Sequence, residues 1–111
     1  MLILVVDDDH GSRKSIKRIC ERQGHQVISA ENADEALQLL RTNRAIRIVI
    51  TDNDMPNMTG IEMIRMVQPQ MLNIKFILVS GKVPDNIPPG IVFFQKPHIL
   101  EGIVSVLKET Q

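Results

Sequence analysis

Apolar residues fall into two alternating patterns along this chain. Four runs are short and nearly unbroken: Leu2 to Val6, Ile48 to Ile50, Phe76 to Val79, and Ile91 to Phe94. Runs of this length read as strands of a parallel sheet buried on both faces. Between them, apolar residues recur at spacings of three and four. Ile16, Ile19 and Cys20 mark one helix, Ala36, Leu37 and Leu40 a second, Met63, Ile64 and Val67 a third, and Leu100, Ile103, Val104 and Leu107 a last, short one. His25 to Ala30 reads as a weaker strand.

Punctuation supports these boundaries. Gly24 suits a helix C-terminus, and the third helix must end near Pro69. Asn32 with Glu35 and Thr59 with Glu62 have the spacing of capping boxes. Strands alternating with helices and joined by right-handed crossovers predict an α/β fold with a doubly wound parallel sheet.

Each apolar run leads into a polar residue that can do chemistry. The first leads into Asp7-Asp8-Asp9, the second through Thr51 into Asp52, the third into Ser80, and the fourth, after Gln95, into Lys96-Pro97. In an open α/β sheet the ligand site lies beyond the carboxyl ends of the strands, so these side chains are expected to meet at one edge. Asp7, Asp8 and Asp52 crowded together repel one another, and a divalent cation bound by them relieves that repulsion. The donors are all oxygens, which favours Mg²⁺ over Zn²⁺. Lys96 and Ser80 suit phosphoryl oxygens. Asp52 stands alone at its strand end, which makes it the best candidate for a nucleophile that becomes an aspartyl phosphate. Asp9 is read as a helix cap, and His10 as an exposed first-turn residue rather than a metal ligand.

Val5-Val6-Asp7-Asp8-Asp9, Thr51-Asp52-Asn53-Asp54-Met55-Pro56-Asn57-Met58-Thr59-Gly60, Val79-Ser80-Gly81 and Lys96-Pro97 stand in this order. Together they resemble the receiver domain of two-component response regulators, such as the chemotaxis response regulator, over essentially the whole chain. The resemblance implies a single flavodoxin-like domain over residues 1–111, with strand order 2-1-3-4-5. It implies that Asp7 and Asp8 hold Mg²⁺, directly or through water, and that the backbone carbonyl of Asp54 completes the metal shell. Asp52 would accept a phosphoryl group from a histidine kinase or phosphotransfer protein, and the switch would act on a protein target. Ser80 and Lys96 would bind phosphoryl oxygens, and the Lys96-Pro97 bond would be cis. Ser80 and Phe93 would form the switch pair, with Phe93 chiefly a core residue and Phe94 facing the other way.

One stretch departs from that family. Residues 81–90 hold three prolines and two glycines where a receiver has a full helix. Such a segment cannot sustain more than about one helical turn, so a loop is expected. The usual signalling face is thereby altered.

Composition narrows the function. The chain has 111 residues, room for one modest core, and a formal net charge of zero. Zero net charge gives no electrostatic footprint for nucleic acid or an anionic membrane. The lone Cys20 sits in an apolar stripe and has no internal partner, which is compatible with a reducing compartment. The first apolar run is too short to cross a bilayer and no basic segment precedes it, so a cytoplasmic location is expected. The methionines read mostly as packing, with Met55 and Met58 more exposed than the rest. The acidic side chain of Asp54 is either an exposed loop acid or a charge that alters the lifetime of the phosphoryl group. A phosphoacceptor switch without separate substrate turnover is the leading function. The alternative is a phosphate-independent interaction module. An aspartate-nucleophile phosphohydrolase ranks last, because the chain leaves no residues for a substrate-enclosing cap.

Overall fold

In a computed structural model that describes residues 1–110, the elements run β1 (Leu2–Val6), α1 (His10–Arg22), β2 (Gln26–Ala30), α2 (Ala33–Thr42), β3 (Ile46–Asp52), α3 (Gly60–Val67), β4 (Lys75–Ser80), β5 (Val92–Gln95) and α4 (Leu100–Thr110). Gln111, the last residue of the expected domain, lies outside the described residues. All four strand pairings are parallel, and the sheet order is β2-β1-β3-β4-β5. The predicted doubly wound, flavodoxin-like order is the one observed.

Alternation along the strands splits the core in two. On one face Leu4, Val6, Val49, Phe76 and Leu78 pack against Ala36 and Leu40 of α2 and Met63, Ile64 and Val67 of α3. On the other face Ile3, Val5, Ile48, Ile50, Ile77 and Val79 meet Ile16 and Cys20 of α1 and Ile103, Val106 and Leu107 of α4. Both faces of the three central strands are thus apolar, which is why their sequences lack polar alternation. Each fully buried Ile or Leu side chain contributes about 1.5–3 kcal/mol.

The helix ends follow their local chemistry. Asp9 caps α1, its carboxylate accepting from the Ser12 amide at 2.7 Å. Gly24 takes φ +87° just past that helix, where its amide and that of His25 satisfy the carbonyls of Glu21 and Cys20. Thr59 and Glu62 form a reciprocal capping box at α3. At α2 only half of the expected box is present: Asn32 accepts from the Glu35 amide at 2.8 Å, and among the described residues no return bond from Glu35 is found.

Between β4 and β5 there is no helix. Residues 81–91 form a loop that is tied to α3. The Arg65 guanidinium donates to the Asn86 carbonyl at 2.8 Å, and the Gln68 amide donates to the Pro89 carbonyl at 3.1 Å. Pro88 is buried, and Ile87 and Ile91 are half-buried against the α2/α3 core. The loop therefore covers part of the face that the missing helix would cover.

Three expectations about packing need correction. Leu100 is 56% exposed, and Val106, not Leu100, completes the inward face of α4. Leu100 opens that helix, and its side chain lines a surface groove with Ile19 of α1 and Val104 rather than entering the core. Met55 is buried in the α2/α3 core, not exposed; the loop folds back after Asp52, and the Met55 amide bonds the Asn53 carbonyl at 3.1 Å. Phe93 is only half-buried, because β5 is an edge strand.

Candidate functional site

The sheet is parallel, so the carboxyl ends of β1, β3, β4 and β5 share one edge. Asp7 lies just past β1, Asp52 closes β3, Ser80 closes β4, and Lys96 lies just past β5. Asp7 and Asp52 are buried while Asp8 is exposed.

Lys96 ties the acids together. Its Nζ lies 3.0 Å from Asp7 Oδ2 and 3.2 Å from Asp52 Oδ1. The Lys96-Pro97 peptide is cis, as the resemblance implied. Asp7 has further partners. Its Oδ1 accepts from the Asp9 amide at 2.9 Å and its Oδ2 from the Ser12 hydroxyl at 2.6 Å. A buried carboxylate with its oxygens so engaged is held in one orientation.

Asp52 is less well satisfied. Burial first, then the charge of Asp7, pushes its carboxyl up to about 6, with Lys96 opposing. For Lys96, burial disfavours the ammonium, but the hydrogen bond and charge of Asp7, helped by Asp52, outweigh it and hold its pKa above the ordinary value. The site thus has an excess of negative charge that one lysine does not cancel.

That excess fits a hard divalent cation. Asp7, Asp8 and Asp52 each offer a carboxylate oxygen, all within 4.8 Å of one another, with Asp8 open to solvent. Oxygen donors of this kind suit an ion that keeps some of its water. The Asp54 side chain does not join them. Its Oδ2 instead accepts from the Ser80 hydroxyl at 2.8 Å.

The loop after Asp52 is organised by Asn53. Its amide bonds the Val79 carbonyl at 2.9 Å, and its Oδ1 accepts from the Ile61 amide at 3.0 Å, joining β4 and α3 to the strand end. Phe93 packs toward the α2/α3 core and Phe94 toward the α1/α4 core, opposite faces as expected.

Sequence reading brought Asp7, Asp8, Asp52 and Lys96 together correctly but missed Ser12 and Arg13. Helical side chains lean toward the N-terminus, which lets Ser12 reach back to Asp7. The Arg13 guanidinium donates to the Asp7 carbonyl at 2.8 Å. The only available signal was their place in the first turn after three aspartates.

The family model described as the response regulator receiver domain matches residues 3–88. The chain belongs to this family. It is a receiver domain of the two-component type, and Lys96, beyond the matched span, is brought to its acidic site by β5. The receiver is 42% identical over 69 residues to a chemotaxis protein CheY homolog of Campylobacter jejuni, covering 61% of this chain and 53% of that protein. The match thus spans about half the length of that relative. A CAI-1 autoinducer sensor kinase/phosphatase of Vibrio cholerae is 31% identical over 102 residues, 92% of this chain and 15% of that protein. Among solved structures, a response regulator receiver protein from Pseudomonas putida superposes with a TM-score of 0.87 at 28% identity, covering 97% of this chain and 95% of that one.

Proposed function

We propose that this receiver is a phosphoacceptor switch in which Asp52 takes a phosphoryl group from a histidine kinase or phosphotransfer protein. The observation that carries the reading is the Lys96 ammonium, which lies 3.2 Å from one Asp52 oxygen and 3.0 Å from Asp7. A carboxylate at a strand end, an adjacent cation and a further acid pair form a site for moving a phosphoryl group.

In the reaction an Asp52 oxygen attacks the phosphorus of a phosphohistidine. The new P–O bond forms as the P–N bond breaks, and the departing imidazole takes up a proton. Lys96 offsets the negative charge on the transferring oxygens, and the Ser80 hydroxyl donates to one of them. Asp7, Asp8 and the Asp54 carbonyl would hold Mg²⁺, which supplies charge neutralisation at the phosphoryl oxygens. Asp7, fixed by Ser12 and the Asp9 amide, keeps its carboxylate in place during transfer.

The phosphoryl group adds negative charge at the sheet edge. Ser80 and Phe93, on adjacent strands β4 and β5, would relay it to a protein target. The half-buried state of Phe93 leaves it room to reorient. The protein turns over no separate substrate in this reading. Among the described residues no helix is long and apolar enough to cross a membrane.

A second reading is an interaction module that needs no phosphate. The loop in place of the helix between β4 and β5 favours it, because the usual signalling face is changed. Incubation with a small phosphodonor and Mg²⁺, read by intact mass, separates the two. One hydroxylamine-labile phosphoryl adduct, absent in Asp52→Asn, supports the acceptor. A folded protein that gains no adduct supports the second reading.

A further inference from the structure

Ser80 has one hydroxyl proton, and it is already committed. The side chain is buried at the end of β4. Its Oγ donates to Asp54 Oδ2 at 2.8 Å and accepts from the Lys82 amide at 3.2 Å. A hydroxyl bound to a carboxylate is a charge-assisted hydrogen bond, roughly twice as strong as a neutral one. While that bond stands, Ser80 has no proton left for an oxygen on Asp52.

We propose that the Asp54 side chain is a latch that holds Ser80 in the resting state and that must release it when the site is phosphorylated. The inference rests on the reading of Asp52 as acceptor. It assigns to the Asp54 carboxylate a role separate from that of its backbone carbonyl.

The physical basis is an exchange of acceptors. In the resting state the Ser80 proton points to Asp54. In the phosphorylated state it points to a phosphoryl oxygen, and the exposed Asp54 carboxylate turns to water. One anionic acceptor replaces another, so the bias is the difference between the two bonds rather than the strength of either. A neutral residue at position 54 removes the competitor and leaves Ser80 ready to donate. Asp54 is thus a positioning residue: it acts through Ser80 and does not touch the transferring group.

Removing Asp54 also removes a negative charge near the site, and that alone favours an anionic ligand. A double-mutant cycle separates the two effects. Binding of beryllofluoride, a phosphoryl mimic, is measured with Mg²⁺ by ¹⁹F and amide NMR in wild type, Asp54→Ala, Ser80→Ala and the double variant. The latch predicts that Asp54→Ala tightens binding by about five- to tenfold in the Ser80 background, from loss of one competing hydrogen bond. In the Ser80→Ala background the gain shrinks to the charge effect alone. Ser80→Cys, a much weaker donor, replaces Ser80→Ala if that variant loses its fold. Equal gains in both backgrounds, or no gain in either, overturn the latch while leaving Asp52 as acceptor. If folded wild type and variants all fail to bind the mimic at Asp52, the acceptor reading falls and the latch falls with it.

Discussion

Gly60 lies so close beneath Asp52 that a Cβ on it would overlap the Asp52 carbonyl oxygen. The same Cβ would come within 3.1 Å of Asn53 Cα and of Leu78 Cδ1. The first residue of α3 thus packs directly under the end of β3, and this close approach positions the acceptor loop. Two of the three obstructing atoms are backbone, so the site cannot yield by turning a side chain.

Gly60→Ala is therefore expected to destabilise the fold by about 1–3 kcal/mol, the usual range for overpacking. Gly11→Ala should do the opposite. Gly11 is inside α1, and its added Cβ would meet nothing closer than an Asp9 carboxylate oxygen at 3.5 Å. Gly11 is the second residue of α1, so the gain is at or below the ~0.5 kcal/mol that is the lower end for a mid-helix glycine. Urea unfolding of both variants checks the pair, and equal destabilisation would contradict the packing described.

Much of this was legible in the sequence because buried parallel strands must be apolar throughout. Leu2 to Val6 and Phe76 to Val79 could be little else, and the polar residue after each run had to land at one edge. The loop between β4 and β5 was legible from Pro84, Pro88 and Pro89. Contacts that depend on how a segment folds back were not legible. Nothing in the order of residues says that Met55 turns inward, or that Arg65 and Gln68 reach across to the Asn86 and Pro89 carbonyls. The bond between Ser80 and Asp54 joins side chains 26 residues apart, and neither residue type implies the other. Leu100 fitted the helical spacing of α4 but is its first residue and lies largely exposed in the groove beside α1.

Stability without a divalent cation should depend on pH through Asp52. Its carboxyl is raised from 3.8 to about 6 in the folded state, so the folded protein holds this proton more tightly than the unfolded chain. The associated stability is fully present below pH 4 and is lost as the pH rises through 6. The loss is on the order of 3 kcal/mol. In EDTA, wild-type Tm should fall over this range by more than the Tm of Asp52→Asn, and at pH 7.5 the variant should be the more stable. Parallel Tm profiles for the two proteins would contradict the strained charge at Asp52.

Lys96→Met should move two properties in opposite directions. The ammonium occupies space between two of the three acids, so it competes with a divalent cation for their charge. Its removal should tighten Mg²⁺ binding by about three- to tenfold. It should also cut the yield of phosphoryl adduct by about tenfold or more, because nothing then offsets charge on the transferring oxygens. Titration calorimetry reads the first and intact mass the second. Weaker Mg²⁺ binding in the variant would show that Lys96 organises the acids rather than competing for them.

Cys20 should be inert in the folded protein. It is fully buried, and burial, with a smaller effect from Glu21, pushes its thiol up to about 12. Alkylation at pH 8 should then track global unfolding and accelerate with added urea. Rapid labelling without denaturant would show that α1 opens locally.

The identity of the phosphorylated residue can be read chemically. Borohydride reduces an acyl phosphate on aspartate to homoserine, which peptide mass mapping then locates. After incubation with a small phosphodonor and Mg²⁺, the modified residue should be position 52 alone, and omission of Mg²⁺ should abolish it. Homoserine at Asp7, Asp8 or Asp54, or none from a folded and Mg²⁺-saturated protein, would contradict Asp52 as the acceptor.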